Sequence, residues 1–560
     1  MPPLVIATLL LFLSGPVLAE PSLLECAKKF VPAPGGYDFV GDDEYETGPM
    51  EDLKIGQIHY TRLQIFDESD PRENNRLYRW ANRLHVTTKE DIVSSQVLVT
   101  SGQDYDPRLI EETSRLLRRR KYLYDADVRP VKVCDDTIDL EVITRDIWSF
   151  TPELSFKRSG GENTSRVSIR ETNLLGSGQE LSLISKNDID RDTTQFAYKN
   201  NNLGQSRVAG RAVYTDNDDG SEGLVFVHLP FYSLDSRQSW GIRLNRFERK
   251  DRQFSHGSDI TEVVHERDDY MLYYGFSQGL KNGVARRWTL GYRYREDQFS
   301  PGDKLPTPTV FPTDKRLSYP YLEYWSVVDD YTKIFNFDQI RRTEDLHLGH
   351  TFFSRLGYAA SAFGSDDDRI VLEGWFDDTI FYSSSMLWRH KLEWKGLWNL
   401  EDDASEDIIV SYSNRYFRSQ TKRRSFFASL DLVYAKNLNT NQQVVFGGDT
   451  GARAFDNRLQ TGDRRVKLTL EERLYTDIHL LNLARLGWAL FVDIGRAWEP
   501  GFDEGFEDDY LANIGFGIRL ASTKADAGRV IHIDFAFPLT NKDDPAVDSS
   551  EITINIKNEF

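Results

Sequence analysis

The stretch Gly487-Trp-Ala-Leu-Phe-Val-Asp-Ile-Gly495 sorts itself by parity. Trp488, Leu490, Val492 and Ile494 share one face of an extended chain, while Gly487, Ala489, Phe491, Asp493 and Gly495 share the other. The sorting recurs over residues 514–520, where Ile514, Phe516, Ile518 and Leu520 oppose Gly515, Gly517 and Arg519. It recurs again over 531–537, where Ile531, Ile533, Phe535 and Phe537 oppose His532, Asp534 and Ala536. Apolar side chains on one face with small or charged ones on the other are what a wall with lipid outside and water inside demands. A half-buried soluble sheet alternates in the same way, so the rest of the chain has to decide.

Working outward, helical periodicity is missing from residues 148–560. Short alternating runs end at Gly, Asp, Asn or Pro clusters, among them 150–157, 166–172, 239–244, 346–353, 466–474 and 488–494. A soluble sandwich rarely runs so long as one unit, and no blade-like repeat suggests a propeller. A closed barrel has no edges and can be this large. Composition agrees. The 560 residues are 39% hydrophobic, 12% aromatic and 28% charged, with a mean hydropathy of −0.52. After the first nineteen residues there is no run of eighteen apolar residues, which excludes crossing by helices but not by strands. With 69 Lys+Arg against 88 Asp+Glu the net charge is −19, so no nucleic-acid partner is expected.

The amino terminus points to a compartment. Residues 1–19 carry an apolar core, a Gly15-Pro16 break and the small ending Val17-Leu18-Ala19, which reads as a secretory signal cleaved before Glu20, although it lacks a basic first segment. Residues 20–50 are rich in Pro, Gly and acids and read as a linker. Residues 51–147 read as a small α+β unit of order β-α-α-β-β. A strand is expected over 55–66, then a helix over 74–84 with Leu77, Trp80, Ala81 and Leu84 on one face. Asp106-Pro107 is an N-cap followed by a first-turn proline; it opens a helix with Ile110, Thr113 and Leu117 inward and Arg118-Arg-Arg-Lys121 at its end. Strands over 122–133 and 137–144 close the unit. The two cysteines, Cys26 and Cys134, are too few for a disulfide framework or a four-thiolate zinc site. In an oxidising compartment they either bridge or stand as two unrelated thiols. A bridge closing a loop of roughly 100 residues would stabilise the unit by about 4–5 kcal/mol in the chain-entropy model.

Several segments carry a family resemblance. Phe446-Gly-Gly-Asp-Thr-Gly-Ala-Arg453-Ala-Phe455 resembles the long sixth extracellular loop of the outer-membrane assembly and translocation superfamily that includes BamA and TamA. That loop folds into the barrel on a Val-Arg-Gly-aromatic tetrad; Ala452-Arg453-Ala454-Phe455 keeps the arginine and the aromatic but not the valine or glycine. The family's partner motif, Phe-x-Asp-x-Gly, is matched by Phe491-Val-Asp493-Ile-Gly495. Asn173-Leu-Leu-Gly-Ser-Gly178, Gly515-Phe-Gly-Ile-Arg519 and Asp534-Phe-Ala-Phe-Pro538 resemble its strand segments. The end, Ile552-Thr-Ile-Asn-Ile-Lys-Asn-Glu-Phe560, resembles a C-terminal barrel strand with Ile552, Ile554, Ile556 and Phe560 in phase, though Asn558 departs from it. Residues 51–147 look like one POTRA domain.

The resemblance implies a mainly β fold: a sixteen-stranded transmembrane antiparallel barrel over 148–560 behind one periplasmic POTRA unit. Five runs follow the loop, as in the family, yet the runs before it number nearer sixteen than eleven. It implies a lumenal latch of Arg453, Phe455 and Asp493, with Gly495, Arg519 and Asp534 supporting it in the lumen. A planar guanidinium can meet a carboxylate with two charge-assisted bonds, which would serve registry more than raw stability. It further implies an outer-membrane protein whose partners are unfolded outer-membrane or secreted clients, outer-membrane lipid and a periplasmic accessory protein. A passive channel or structural barrel with a partner-binding module is the alternative. No cofactor, metal or catalytic residue is expected: the phosphate-binding Gly-x4-Gly-Lys and His-Glu-x-x-His are both missing. Asp216-Asn-Asp-Asp-Gly220 reads as a hairpin turn, since Thr215 stands where a calcium loop needs its first ligand.

Overall fold

In a computed structural model, residues 52–557 are described, apart from 69–70, 72, 135, 336–342, 384, 422, 481–483, 502–508 and 523–529. The signal and linker readings of residues 1–50 lie outside the described residues, as do Cys26 and the side chain of Cys134.

The first unit is built from β1 (Lys54–Leu63), α1 (Arg76–Leu84), α2 (Glu90–Ser94), α3 (Pro107–Arg118), β2 (Leu123–Cys134) and β3 (Thr137–Asp146). The sheet order is β1-β3-β2, with β1 parallel to β3 and β2 antiparallel to it. Its core gathers Ile55, Val93, Leu117, Leu123, Ile138 and Leu140. The α3 start follows its sequence: the Asp106 carboxylate accepts from the Arg108 N–H at 2.9 Å, and Ile110, Thr113 and Leu117 are buried. The short α2 carried too little periodicity to be expected.

A single closed antiparallel barrel follows, beginning with β4 (Phe150–Ser159) and ending with the strand Glu551–Lys557. It has twenty strands among the described residues, not sixteen. The five strands after the long loop are present, but fifteen precede it rather than eleven. The extra runs are true wall strands, because long hairpins such as Gln238–Ser255 with Ser258–Lys281 pair along the whole of the first strand, from Ser255 opposite Ser258 to Gln238 opposite Phe276. One run does leave the wall. Residues 346–353, expected as one strand, break at Gly349, whose φ of +73° suits glycine alone. Thr343–His347 instead pairs with Tyr331–Phe335 in a hairpin outside the barrel.

An even number of strands returns the chain end to the rim where β4 starts, here called the near rim. On Gln238–Ser255 the outward positions Trp240, Ile242 and Leu244 give way to Arg246, Glu248 and Lys250, so the apolar band stops and the wall continues beyond it toward the far rim. Leu154, Phe196, Leu290, Leu490 and Phe516 stand exposed in that band, whereas Asp493, Asn513, Arg519 and Asp534 are buried inside. Such a wall is a membrane-crossing barrel by construction. The closure is thin at one place: the last strand meets β4 at a single register pair among the described residues, Ile554 with Arg158.

The α+β unit is bound to the near rim by α3. Arg118 grips Asp345 of the external hairpin through Nε and Nη2 at 2.7 and 2.6 Å. Arg115 reaches Asp329 at 3.5 Å, Arg108 reaches Asp235 at 2.5 Å, and the Leu234 N–H donates to Glu112 at 2.7 Å. These partners sit on two different rim connections, 230–237 and 329–348, which fixes the unit's orientation.

Candidate functional site

Between the strands Arg424–Lys436 and Arg464–Leu480 the chain leaves the far rim and folds back into the lumen. Two short segments, Val444–Phe446 and Gln460–Gly462, pair to close its neck. Its stem is tied to the tall wall: Asn441 Nδ2 donates to Asp251 at 2.8 Å, Gln253 Nε2 donates to the Thr440 carbonyl at 2.7 Å, and the Phe254 N–H donates to Gln443 at 2.8 Å. Inside, Phe446, Phe455 and Leu459 pack with Phe491, Ala497 and Leu511 into an apolar plug. Gly495 is where it must be small: a Cβ there would lie 2.5 Å from the Phe446 ring and from the Val466 carbonyl.

Arg453 enters the polar side of the lumen. Its Nε donates to Asp493 Oδ2 at 2.8 Å and Nη2 to Oδ1 at 3.0 Å, a two-pronged pair. Nη1 donates to Asp534 at 3.1 Å and to Glu471 at 3.4 Å. The guanidinium also lies over the Phe491 ring, 3.4 Å from its centre. Asp493 accepts further bonds from Thr469 and Asn513 at 2.8 and 2.9 Å. Arg519 donates to Asp534 at 2.5 Å, and Arg473 to Glu471 at 2.9 Å. Three guanidinium groups thus face three carboxylates and their charges cancel, which is what buried ions require. A polar cavity of about 380 Å³ opens beside them, lined in part by Arg415, Asp431, Asp449 and His532. Among the described residues no group of three or more His, Cys, Asp and Glu side chains is arranged to hold a metal.

The structure therefore brings Arg453, Phe455, Asp493, Gly495, Arg519 and Asp534 into one place. On the last strand, Ile552 stands exposed on the outer wall, and Ile552, Ile554 and Ile556 are in register with Phe535, Ile533 and Ile531. The Ile556 side chain and Phe560 lie outside the described residues. Sequence reading passed over Glu471 and Arg473, and it took Phe491 only as the first residue of the motif around Asp493. The signal was available, because Thr469, Glu471 and Arg473 alternate with Leu468, Leu470 and Leu474; nothing in one strand says which charge on a neighbour it will meet.

The same loop also touches both sides of the thin closure. Asn457 Nδ2 donates to the Ser159 carbonyl at the end of β4 at 2.7 Å, and Thr553 Oγ1 on the last strand donates to the Arg453 carbonyl at 3.4 Å. At the turn after β4, Gly160 has φ +54°, and a Cβ would lie 2.3 Å from the Asn457 nitrogen, so only glycine allows this approach. Glu551 completes the junction with the Gly161 N–H at 3.2 Å and Arg158 at 3.5 Å.

The loop tip carries its own pH dependence. Burial, together with Asp548, Glu551 and Glu162 nearby, pushes the Asp456 carboxyl up to about 6 against the opposing pull of Arg158. A raised acid holds its proton in the docked state, so its contribution is fully present below about pH 4 and is lost as pH rises through 6. Hydrogen exchange over residues 456–460 is expected to be faster at pH 7.5 than at pH 5 after correction for intrinsic rates. Asp456→Asn should flatten that difference, and a variant as pH-dependent as the parent would remove Asp456 as its origin.

The fold and site together define a membrane-crossing β-barrel with a loop latched in its lumen and an α+β unit fixed to one rim. No family model matches the sequence, and no curated protein matches it. Among solved structures the chain is similar to CdiB from Escherichia coli, at 12% identity and a TM-score of 0.44 over 90% of this chain and 76% of that one. It is similar to CdiB from Acinetobacter baumannii at 12% identity and 0.43, over 90% and 74%. It is similar to BamA from Haemophilus ducreyi lacking POTRA domains 1–3 at 11% identity and 0.39, over 90% and 84%.

Proposed function

We propose that this is an outer-membrane protein that inserts or translocates polypeptide clients, with the α+β unit, a POTRA-like module, in the periplasm and the barrel closure as the gate. One observation carries the reading: the loop held by Arg453 touches both strands of what is, among the described residues, the thinnest pairing in the wall, so loop docking and closure are mechanically one event. A pore for small solutes would have no use for that coupling. Clients are unfolded outer-membrane or secreted chains, and their capture needs a strand edge. The start of β1 is covered, since Gly102 N–H donates to the Ile55 carbonyl and Ile55 N–H to the Gln103 carbonyl. Side chains of α3 cap β2, where Arg118 donates to the Ala126 carbonyl and the Val128 N–H donates to Ser114. That leaves β1 beyond Ile55 as the edge on which a client strand would add. No catalytic step enters this reading.

The test is to join the closure. Arg158→Cys with Ile554→Cys, oxidised and verified by mass spectrometry against the native Cys26 and Cys134, is expected to stop client insertion or translocation in reconstituted membranes while leaving ion conductance intact. Reduction should restore it. Full client activity in the joined protein would overturn the gate, and conductance without any client activity in the unjoined protein would favour the passive channel.

A further inference from the structure

Helix α1 keeps its apolar face unburied. The nine residues Arg76-Leu-Tyr-Arg-Trp-Ala-Asn-Arg-Leu84 divide into three arcs. Tyr78 and Asn82 face the unit: the Tyr78 ring stacks on Phe66 at 4.1 Å, and the Asn82 amide bonds the Phe66 N–H and carbonyl at 3.1 and 2.9 Å. Leu77, Trp80 and Leu84 form the outer arc and are 66%, 58% and 53% exposed. Arg76, Arg79 and Arg83 form a basic arc beside them. A cluster of large apolar side chains standing open in this way calls for a cover.

The position of the helix names the cover. Beyond Leu84 the chain passes exposed Val86 and meets the near-rim turn Leu174–Gly176: the Lys89 N–H donates to the Gly176 carbonyl at 2.9 Å, and a Cβ on Gly176 would lie 3.3 Å from Val86. Leu175 is exposed in that turn, and the strands on either side present Val167, Ile169 and Leu183 outward. On the other flank Trp148 packs with Phe66 and Tyr78 and leads into Phe150 and Leu154 of β4, both exposed. The outer arc of α1 is thus continuous with the apolar band of the first barrel strands.

We propose that α1 is an interfacial helix that lies on the phospholipid surface beside the barrel closure, with Leu77, Trp80 and Leu84 among the upper acyl chains and Arg76, Arg79 and Arg83 toward lipid phosphates. Nine residues would bind a bilayer only weakly alone, but attachment to the rim holds them at the surface at high effective concentration. The inference rests on the barrel lying in a bilayer and goes beyond client handling, since it assigns a second, lipid-facing role to the α+β unit.

The test uses the full chain in nanodiscs of phosphatidylethanolamine and phosphatidylglycerol, with photoreactive p-benzoylphenylalanine placed at Trp80, at Leu490 on the outer wall, or at Asp104. The last stands at the sheet end distant from the barrel, where Lys54 pairs with Thr137, whereas Leu63 pairs with Arg145 next to the barrel. Phospholipid-mass adducts are expected at Trp80 and Leu490 but not at Asp104. Combining Arg76→Gln, Arg79→Gln and Arg83→Gln should lower the Trp80 adduct yield by at least about threefold. Adducts at Leu490 with none at Trp80 would overturn the inference alone. So would a Trp80 crosslink without mass gain, which means cover by this chain's own residues 20–51, or a crosslinked dimer, which means cover by a second copy. Silence at both Trp80 and Leu490 would overturn the membrane reading and the inference together.

Discussion

Arg453→Ala is expected to release the loop from the lumen. The substitution takes one of the three guanidinium groups from Asp493, Glu471 and Asp534 and leaves them with Arg473 and Arg519 in a buried site. Breaking one side of a buried pair typically costs about 3–5 kcal/mol, and lumenal water would trim that figure. Asp493→Asn keeps the shape but loses the charge assistance, and it should loosen the loop in the same way. Arg453→Lys should rescue little, because an ammonium cannot supply the two-pronged contact or the flat overlap with Phe491. Protease cleavage around Asn457–Gln460 and the temperature of the heat-induced gel shift are the readouts. In a double-mutant cycle the two losses should be strongly non-additive, since the side chains touch. Additive losses, or a wild-type cleavage pattern in Arg453→Ala, would show that this contact does not hold the loop. Ion conductance should rise in the undocked variants, because the plug leaves with the latch.

The second large effect is expected at Phe455. Its ring is almost fully buried with Phe446, Leu459 and Phe491, so Phe455→Ala removes an aromatic from a closed cluster. Such truncations cost about 3–5 kcal/mol, whereas Phe455→Leu should cost about 1.5 kcal/mol or less because most of the volume survives. The same protease assay reads both. Combined with Arg453→Ala, the alanine variant should add little further, since a loop already out of the lumen has no burial left to lose. Unchanged protease resistance in Phe455→Ala would mean the polar contacts alone hold the loop, and the apolar plug would lose its assigned part.

The two halves of the site were legible to different degrees. Arg453, Phe455 and Asp493 could be picked out because a loop motif and an inward parity are local properties. Glu471 and Arg473 share that parity but lie on another strand, and sequence order does not say how far adjacent strands are staggered. Register brings them in: Thr469 is opposite Asp493, which places Glu471 opposite Phe491 and one step along the lumen from the latch. Seam contacts by Asn457 and Thr553 were beyond reach for the same reason, as they join residues about a hundred or more positions apart.

Strand number was only partly legible. Alternation along the chain marked close to sixteen runs before the loop, against the fifteen wall strands found, while the resemblance implied eleven. Such runs are visible because lipid outside and water inside impose a period of two on wall strands. Whether a run joined the wall was not visible, and the hairpin of Tyr331–Phe335 with Thr343–His347 is the case in point: a positive φ at Gly349 turns it out to meet α3.

Helix α1 marks the same boundary. Its sequence determined that Leu77, Trp80 and Leu84 share a face, because 3.6 residues per turn leave no other choice. It did not determine that the face points outward, since periodicity names a stripe and not its partner. Tertiary structure made that choice by giving Tyr78 and Asn82 a bonded place against Phe66, which leaves the apolar stripe on the side that runs into the barrel's outer band. Alternation, caps and inward charges are written residue by residue and were the sequence's to decide. Closure, register and which face meets which neighbour depend on segments far apart in the chain, and only packing them together decided those.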